Sequence, residues 1–414
     1  MVAASARLDN TKAANRNGAF RMPIADRHSH ALPAFKDGPV LDFGGSDPVL
    51  LTPGPLTTSA SVKSAMMRDL GSRDAAFVEI NRRVLDRIAA IVDGGDRFAA
   101  VPLQGSGTFV VEAMIATFLP PDGKLLVLIN GAYGARMAEI CRRMGRNFCS
   151  LEWPEHCPVD ADRVTRQLQA DPSISHVVVV QCETTTGMLN PIERIADAVA
   201  DQGRRLLIDA MSSFGAIALD ARRVVFDAAA ASANKCLEGV PGVGFCVARL
   251  KALAETEGHA GSLCLDLYDQ WRAMVRNGQW RFTPPTHVIL ALDQALAEFE
   301  QEGGVTGRGR RYRANHRTLV EAMRALGFET LLPDDLQAPI IVTFRLPADP
   351  QFVFEDFYEQ LHRRGYVIYP GKLTTAESFR IGCIGQVRPS EISAAVQAIA
   401  ATMADMGVAS GAPA

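Results

Sequence analysis

The sequence has no long apolar run and little net charge, and each absence excludes a class of protein. No stretch reaches the ~18 to 20 consecutive apolar residues of a membrane span. The start of the chain has no apolar run of the kind that a secretory signal requires. The formal net charge of -3 gives no field that would attract nucleic acid or an acidic membrane surface. We therefore predict a cytoplasmic protein that binds neither nucleic acid nor membrane.

Metal-binding motifs are also missing. Eight cysteines are scattered along the chain, without the C-x-x-C pairs or Cys/His clusters of zinc sites. His28 and His30 lie close together in the sequence, but two ligands without nearby acids or thiols fall short of a metal site. The pattern predicts free thiols in a reducing compartment and no bound metal.

What the sequence does contain is a large core arranged as alternating strands and helices. It has 414 residues, of which 48% are hydrophobic, so two domains are the default expectation. From Leu50 onward, the apolar runs FAAVPL, KLLVLI, HVVVVQ and RRLLIDA alternate with helix-like stretches. This pattern is typical of a parallel sheet covered on both faces. We predict an α/β fold with a flexible N-terminal extension (1–46), a large domain (47–299) and a smaller C-terminal α+β domain (300–414).

Polar turns follow the predicted strands, which is where ligands bind in parallel α/β sheets. The turn at residues 104–108 has two glycines and leads into a helix, so it suits either an anion at the helix N-terminus or a tight connection. It matches neither the G-x-G-x-x-G nor the G-x-x-x-x-G-K-[ST] nucleotide pattern. Tyr133 lies between glycines and could cover a flat ring or simply pack in the core. The threonines at 184–186 could bond a ring substituent or cap their turn.

Two charged residues follow strongly apolar segments. Asp209 ends the run RRLLID, and a carboxylate there is costly unless a cation pairs with it. A protonated pyridine nitrogen would be such a partner. Lys235 follows the small-residue run DAAAASAN, and a buried lysine must be neutralised, paired or bonded covalently. The two residues together favour a cofactor site.

Together these turns resemble the class V aminotransferases of the fold type I pyridoxal-phosphate family. The resemblance runs from about Leu50 to about Gly385, and it is strongest to members that act on 2-aminoethylphosphonate and pyruvate. The motifs that carry it are LLTPGPLT, PLQGSGT, NGAYGARM, ETTTGMLNPI, DAMSSFG, SANKCLEGVPG, QWRFTPPTH, APIIVTF, YVIYPGK and FRIGCIG. The resemblance implies pyridoxal 5'-phosphate as the cofactor.

The resemblance also implies roles for single residues. Lys235 would form the Schiff base to the cofactor, and Asp209 would pair with its pyridine nitrogen. Tyr133 would stack on the ring, and Thr185 would bond the ring hydroxyl. The cofactor phosphate would lie on the backbone of Ser106, Gly107 and Thr108.

Three further residues are assigned to substrate and dimer contacts. Arg380 resembles the arginine that clamps the substrate anion, a task that its planar fork suits. Family dimers bring QWRFTPPT of the neighbouring subunit to the phosphate, so we expect a homodimer in which Thr283 acts across the interface. Arg73 stands where close relatives have a tryptophan. It is either a surface arginine or a second anion contact at the mouth of the pocket.

The implied reaction moves the amino group of 2-aminoethylphosphonate to pyruvate, giving phosphonoacetaldehyde and L-alanine. Another class V activity, such as alanine or serine with glyoxylate, is the main alternative. A desulfurase is disfavoured because nothing marks Cys383 as an activated thiolate. A cofactor-binding regulator would need a nucleic-acid or partner module that the first 42 or so residues do not contain. A nucleotide-binding protein would leave Lys235 and Asp209 without a shared purpose.

Overall fold

The computed structural model describes residues 47–371 and 377–413. The predicted N-terminal extension at residues 1–46, with His28 and His30, lies outside the described residues. Within the described ranges, no helix is both long and apolar enough to cross a membrane.

Strands and helices alternate through most of the described chain. In chain order the strands are β1 (Val49–Leu50), β2 (Phe98–Gln104), β3 (Lys124–Ile129), β4 (Asn147–Glu152), β5 (Ile174–Val180), β6 (Cys182–Glu183), β7 (Met188–Leu189), β8 (Arg205–Asp209), β9 (Ala228–Ser232), β10 (Val243–Arg249), β11 (Ile341–Arg345), β12 (Tyr366–Val367), β13 (Tyr369–Pro370) and β14 (Ser378–Gly382). The helices are α1 (Ala60–Ala65), α2 (Ala75–Ala90), α3 (Gly107–Phe118), α4 (Ala132–Arg143), α5 (Ala161–Ala170), α6 (Ile192–Asp201), α7 (Leu250–Ala254), α8 (Leu267–Asn277), α9 (Thr286–Gln301), α10 (Gly304–Ala325), α11 (Phe354–Arg363) and α12 (Pro389–Met406).

The central sheet has seven strands in the order β2-β10-β9-β8-β5-β3-β4. Strands β9, β8, β5, β3 and β4 pair in parallel, whereas β10 runs antiparallel to its neighbours β2 and β9. The predicted α/β fold with a mostly parallel sheet is therefore confirmed.

Both faces of this sheet are apolar and covered by helices. In β5, Val177 and Val179 belong to one buried cluster, and Val178 and Val180 belong to another. Side chains alternate across a strand, so a uniformly apolar strand supplies two cores at once. Helices α2, α5, α6 and α9 contribute to the first cluster, and α3, α4 and α8 contribute to the second. Each fully buried valine stabilises the fold by roughly 1.5 to 3 kcal/mol.

The C-terminal part of the chain forms a smaller antiparallel sheet in the order β11-β14-β13. Its core is aromatic, with Phe344 and Phe379 stacked at a centroid distance of 5.7 Å. Strand β1 pairs with β12, and the adjacent Leu51 is buried in this same core. The α+β texture of the C-terminal part is confirmed, whereas the boundary at residue 300 stays a prediction.

The register of the large sheet places the polar turns at one edge. Asp209, at the end of β8, lies opposite Val180 of β5 and Ala230 of β9. Gln104, at the end of β2, lies opposite the first residue of β10. Because the carboxyl ends of parallel strands meet at one edge, the turns that follow them converge there.

Candidate active site

A cavity of about 470 Å³ lies at this edge of the sheet. It brings together predicted site residues from turns that are far apart in the sequence. These lining residues are Ser106, Gly107, Thr108, Tyr133, Asp209 and Lys235. Four other predicted residues, Arg73, Thr185, Thr283 and Arg380, are not part of this lining.

The predicted phosphate cradle is the N-terminus of α3. Ser106 is the N-cap residue in an extended conformation, and the first turn of the helix has no acidic residue. The first amides of a helix lack intrahelical acceptors, and the helix dipole places partial positive charge there. The turn therefore presents N–H groups to the cavity in an arrangement that suits a phosphate.

Lys235 lies against the turn at residues 53 and 54, near the beginning of the described chain. Its Nζ donates a hydrogen bond of 2.7 Å to the carbonyl oxygen of Pro53. The next residue, Gly54, has a φ of 121°, and a Cβ added there would lie 2.6 Å from Lys235 Nζ. Glycine is required at position 54 both for the backbone conformation and for the close approach to the lysine.

Asp209 lies at the floor of the cavity with 5% of its surface exposed. Its Oδ1 accepts a hydrogen bond of 3.0 Å from the amide of Met211. Burial raises the pKa of this carboxyl to about 6, and that amide and the charges of Arg136 and Lys235 act in the opposite direction. A buried carboxylate of this kind is stabilised by a cation placed next to it.

Glu183 supports Tyr133 from beneath the start of α4. Its fully buried carboxylate accepts hydrogen bonds from the amides of Tyr133 (3.1 Å) and Gly134 (3.4 Å). Burial raises the pKa of Glu183 to about 7 although these bonds and those of Thr185 lower it. A Cβ on Gly131 would lie 2.2 Å from Glu183 Cγ, so glycine at position 131 leaves space for the carboxylate.

Thr185 is placed differently from the other predicted cofactor residues. Its hydroxyl donates to Glu183 Oε1 at 2.5 Å and accepts from the amide of Ala132 at 3.1 Å. The side chain is fully buried. Its hydroxyl oxygen keeps one lone pair that could accept a further hydrogen bond, and the contact with a ring hydroxyl stays a prediction.

Arg380 reaches the neighbourhood of the cavity from the C-terminal sheet. It is 3% exposed, and its guanidinium donates to the carbonyl oxygens of Pro370 (3.1 Å) and Thr184 (2.8 Å). Burial lowers its pKa, whereas the nearby Tyr133, Tyr369 and Glu183 raise it. The side chain is thus fixed beside Tyr133 with its orientation set by two carbonyls.

Comparison with known proteins identifies the family. The model of the aminotransferase class-V family matches residues 59–390. The chain belongs to the class V aminotransferases. It is 53% identical over 361 residues to the 2-aminoethylphosphonate–pyruvate transaminase of Pseudomonas putida W619, covering 87% of this chain and 98% of that protein. The protein of the same name from Pseudomonas aeruginosa PAO1 is 54% identical, with 87% and 97% covered.

Solved structures of other aminotransferases share the fold of this class V aminotransferase. Pyridoxamine-pyruvate aminotransferase from Mesorhizobium loti superposes with a TM-score of 0.81 at 26% identity, covering 88% of this chain and 95% of that one. Ureidoglycine-glyoxylate aminotransferase from Bacillus subtilis gives 0.80 at 22% identity, with 87% and 94% covered. The predicted fold type I architecture is confirmed.

Membership of the class V aminotransferases implies pyridoxal phosphate, and the cavity fits that group. A helix N-terminus is available for the phosphate. The buried Asp209, whose pKa is raised, suits a protonated ring nitrogen. The amine of Lys235 lies in the same cavity. The phosphate, the ring nitrogen and the aldehyde of the cofactor therefore each have a chemically matched partner.

Sequence reasoning gave no role to two residues of this class V aminotransferase. Arg136 lines the cavity, lies 4.9 Å over the Tyr133 ring and donates to Thr108 Oγ1 at 3.2 Å. Its spacing of three residues from Tyr133 on a helix was the available signal. Glu183 gave no signal, because a glutamate in a polar turn is usually solvated.

Arg73 and Thr283 lie on the surface, in neighbouring segments. Both side chains are exposed. Asp69, four residues before Arg73, accepts a hydrogen bond of 3.0 Å from His287, four residues after Thr283. Neither side chain lines the cavity described above, so the predicted roles of Arg73 and Thr283 stay predictions.

Proposed function

We propose that this class V aminotransferase transfers the amino group of 2-aminoethylphosphonate to pyruvate, with pyridoxal 5'-phosphate as its cofactor. The products are phosphonoacetaldehyde and L-alanine. The observation that carries the proposal is the single cavity that joins Lys235, the buried Asp209 and the N-terminus of α3. Relatives that carry the name of this activity, at 53–54% identity over nearly their whole length, support the choice of substrates.

Residues of the cavity would hold the aldehyde carbon, the phosphate and the ring of the cofactor. Lys235 would bind its aldehyde carbon through Nζ, and the backbone of residues 106–108 would bind its phosphate. Tyr133 would lie against the ring, with its main chain fixed by Glu183. Arg136 would add positive charge beside Thr108.

Lys235 would move the proton at carbon, and Asp209 would keep the ring nitrogen protonated. When bound, pyridoxal phosphate supplies an electron sink for the charge that develops at the amine-bearing carbon. Lys235 Nζ, released by the incoming amine, would take the proton from that carbon. The carboxylate of Asp209 would hold the proton on the ring nitrogen, because burial makes a neighbouring cation its best partner.

Arg380 would bind the substrate anion. Its guanidinium is held in place by the carbonyl oxygens of Pro370 and Thr184, so little side-chain entropy is lost when an anion binds. The carboxylate of pyruvate suits a planar, bidentate donor. In 2-aminoethylphosphonate the anion is a phosphonate one carbon farther from the amine.

A coupled assay tests the substrate assignment. Purified protein with 2-aminoethylphosphonate and pyruvate is expected to form alanine and phosphonoacetaldehyde in equal amounts. Because donor and acceptor use the same site in turn, initial rates plotted as double reciprocals should give parallel lines. Turnover of alanine or serine with glyoxylate, without turnover of the phosphonate, would favour the other class V activity instead.

We also propose a homodimer in which Thr283 of the partner subunit completes the phosphate site. The support is the exposure of Thr283 and of Phe282, which is 48% exposed. Phe109, beside the phosphate cradle, is also 51% exposed. Exposed aromatic side chains are enriched at protein interfaces.

Mixed dimers provide the test of this arrangement. The variants Lys235→Ala and Thr283→Glu are each expected to be nearly inactive, the second because a carboxylate repels the cofactor phosphate. When the two are mixed and allowed to exchange subunits, one site of each mixed dimer is intact, so about a quarter of wild-type activity should return.

The matched control mixes Lys235→Ala with Asp209→Asn. Both residues belong to the cavity of one chain, so neither site of the mixed dimer is intact and no activity should return. Failure of Thr283→Glu to complement Lys235→Ala, in a mixture shown to contain mixed dimers, argues that Thr283 acts elsewhere.

A further inference from the structure

A buried network of charges lies beneath the turn that carries Lys235. Glu238, three residues after the lysine, is 2% exposed. Its Oε1 accepts hydrogen bonds from Arg311 Nη2 at 2.7 Å and from Tyr312 Oη at 2.5 Å. Both donors belong to α10, so this helix binds directly to the lysine turn.

The backbone of Glu238 is held in an unfavourable conformation. Its φ is 61°, in the left-handed region that side chains other than glycine rarely adopt. Its amide donates to the carbonyl oxygen of Lys235 at 2.8 Å, which closes the turn. Such a conformation persists only where the surroundings impose it, and such residues occur often at functional sites.

The other side of the network binds the segment that follows the Arg380 strand. Arg311 Nη1 donates to the carbonyl oxygens of Gly385 and Val387. The hydroxyl of Tyr312 accepts a hydrogen bond of 3.2 Å from the amide of Gly385. Helix α10 therefore connects the Lys235 turn to the end of β14, the strand that carries Arg380.

The charges in this network are balanced. Arg308 and Arg311 each donate to Glu302, at 2.5 and 2.6 Å through Nε, and both approach Glu238. Removing one carboxylate would leave a buried cation without compensation, which is strongly destabilising. Tyr312 is neutral, so it is the member of the network that can be changed without this penalty.

We propose that Glu238 and Tyr312 are positioning residues. They keep the amine of Lys235 at a fixed distance from the guanidinium of Arg380. Lys235 acts on the carbon that bears the amine, and Arg380 binds the anion at the other end of the substrate. Their separation must match the length of the substrate, because a substrate whose anion is loosely held by Arg380 reaches Lys235 less often. This inference rests on the roles proposed above for these two residues.

The variant Tyr312→Phe tests the proposal because it removes only the hydroxyl that joins Glu238 to Gly385. We expect KM for both 2-aminoethylphosphonate and pyruvate to rise about tenfold, with kcat within about twofold of wild type, because anion seating is loosened. The matched control is Tyr268→Phe, which also removes a hydrogen bond from a tyrosine to a glutamate, Glu257, at 3.1 Å. It should leave both KM values unchanged.

Hydrogen–deuterium exchange provides a readout that does not depend on turnover. In Tyr312→Phe, amides of residues 235–239 and 383–387 should exchange faster together, whereas Tyr268→Phe should change neither segment. Unchanged exchange in both segments, or faster exchange with unchanged KM values, would overturn the proposal. If the wild type does not accept the phosphonate, the substrate assignment fails, and exchange together with KM for the donor that is accepted decides the positioning roles.

Discussion

The variant Lys235→Ala is expected to fold and to lose turnover of 2-aminoethylphosphonate by roughly four orders of magnitude or more. The amine of Lys235 lies in the cavity under Pro53, and among residues 47–371 and 377–413 no other lysine lines that cavity. In the proposed mechanism, both the covalent attachment of the cofactor and the proton transfer at carbon depend on this one nitrogen. The coupled assay for alanine and phosphonoacetaldehyde measures the loss.

A second measurement separates attachment from catalysis. Wild-type protein loaded with pyridoxal phosphate and reduced with borohydride should carry the cofactor mass on the peptide that contains Lys235. Lys235→Ala should carry none there. Lys251→Ala, which changes an exposed lysine, is the control and should match the wild type in both measurements. Label on a different lysine in the wild type would contradict the assignment.

The variant Asp209→Asn should have two opposite effects, on rate and on stability. We expect kcat to fall roughly 10²- to 10³-fold, because a neutral amide cannot hold the proton on the ring nitrogen as a carboxylate does. The amide of Met211, which donates to Asp209 Oδ1, can donate equally to an asparagine oxygen. The fold should therefore be retained, and circular dichroism can verify this.

Without cofactor, the same variant should be more stable than wild type above pH 6. The pKa of Asp209 is raised by burial from its ordinary value of 3.8 to about 6. The folded protein therefore holds a proton more tightly than the unfolded chain, and stability falls as pH rises from about 4 to about 6. Asparagine removes a penalty on the order of 3 kcal/mol at pH 8 and almost none at pH 4. Thermal melts of cofactor-free protein at the two pH values measure this difference.

Asp227→Asn is the matched control for the effect of Asp209→Asn on rate. Asp227 is a partly buried aspartate whose pKa is also raised by burial, but it lies just before β9, at the other end of the strand from Lys235. It has ion-pair partners in Arg205 and Arg249. Its replacement should leave kcat unchanged. Equal losses of kcat in the two variants would mean that Asp209 has only a structural role.

The fold could be predicted from the sequence because the composition of a strand indicates whether one or both of its faces are buried. The β-branched run HVVVVQ is typical of a strand with two covered faces, and β5 has that environment. Once the sheet is parallel, the turns after its strands must meet, so the shared cavity of Tyr133, Asp209 and Lys235 followed from topology.

Other parts of the site depend on contacts that no local pattern records. Arg311 is one of several arginines in α10, and nothing in its spacing reveals that it binds Glu238 and the end of β14. Thr185 was placed by its motif, yet its hydroxyl direction is set by Glu183 and Ala132. Side-chain direction within a turn is decided by packing, and local sequence leaves it open.

The pairing of β1 with β12 has a consequence for how the active site is assembled. Pro53, which covers Lys235, is 182 positions away from it, and it follows a strand that is held in place by Tyr366 and Val367. During synthesis the N-terminal parts of a protein emerge first and begin to fold. We expect the central sheet to form before β12 leaves the ribosome, and Pro53 to be held against Lys235 only after β12 has been synthesised. Completion of the proposed active site is thus expected to require synthesis of nearly the whole chain.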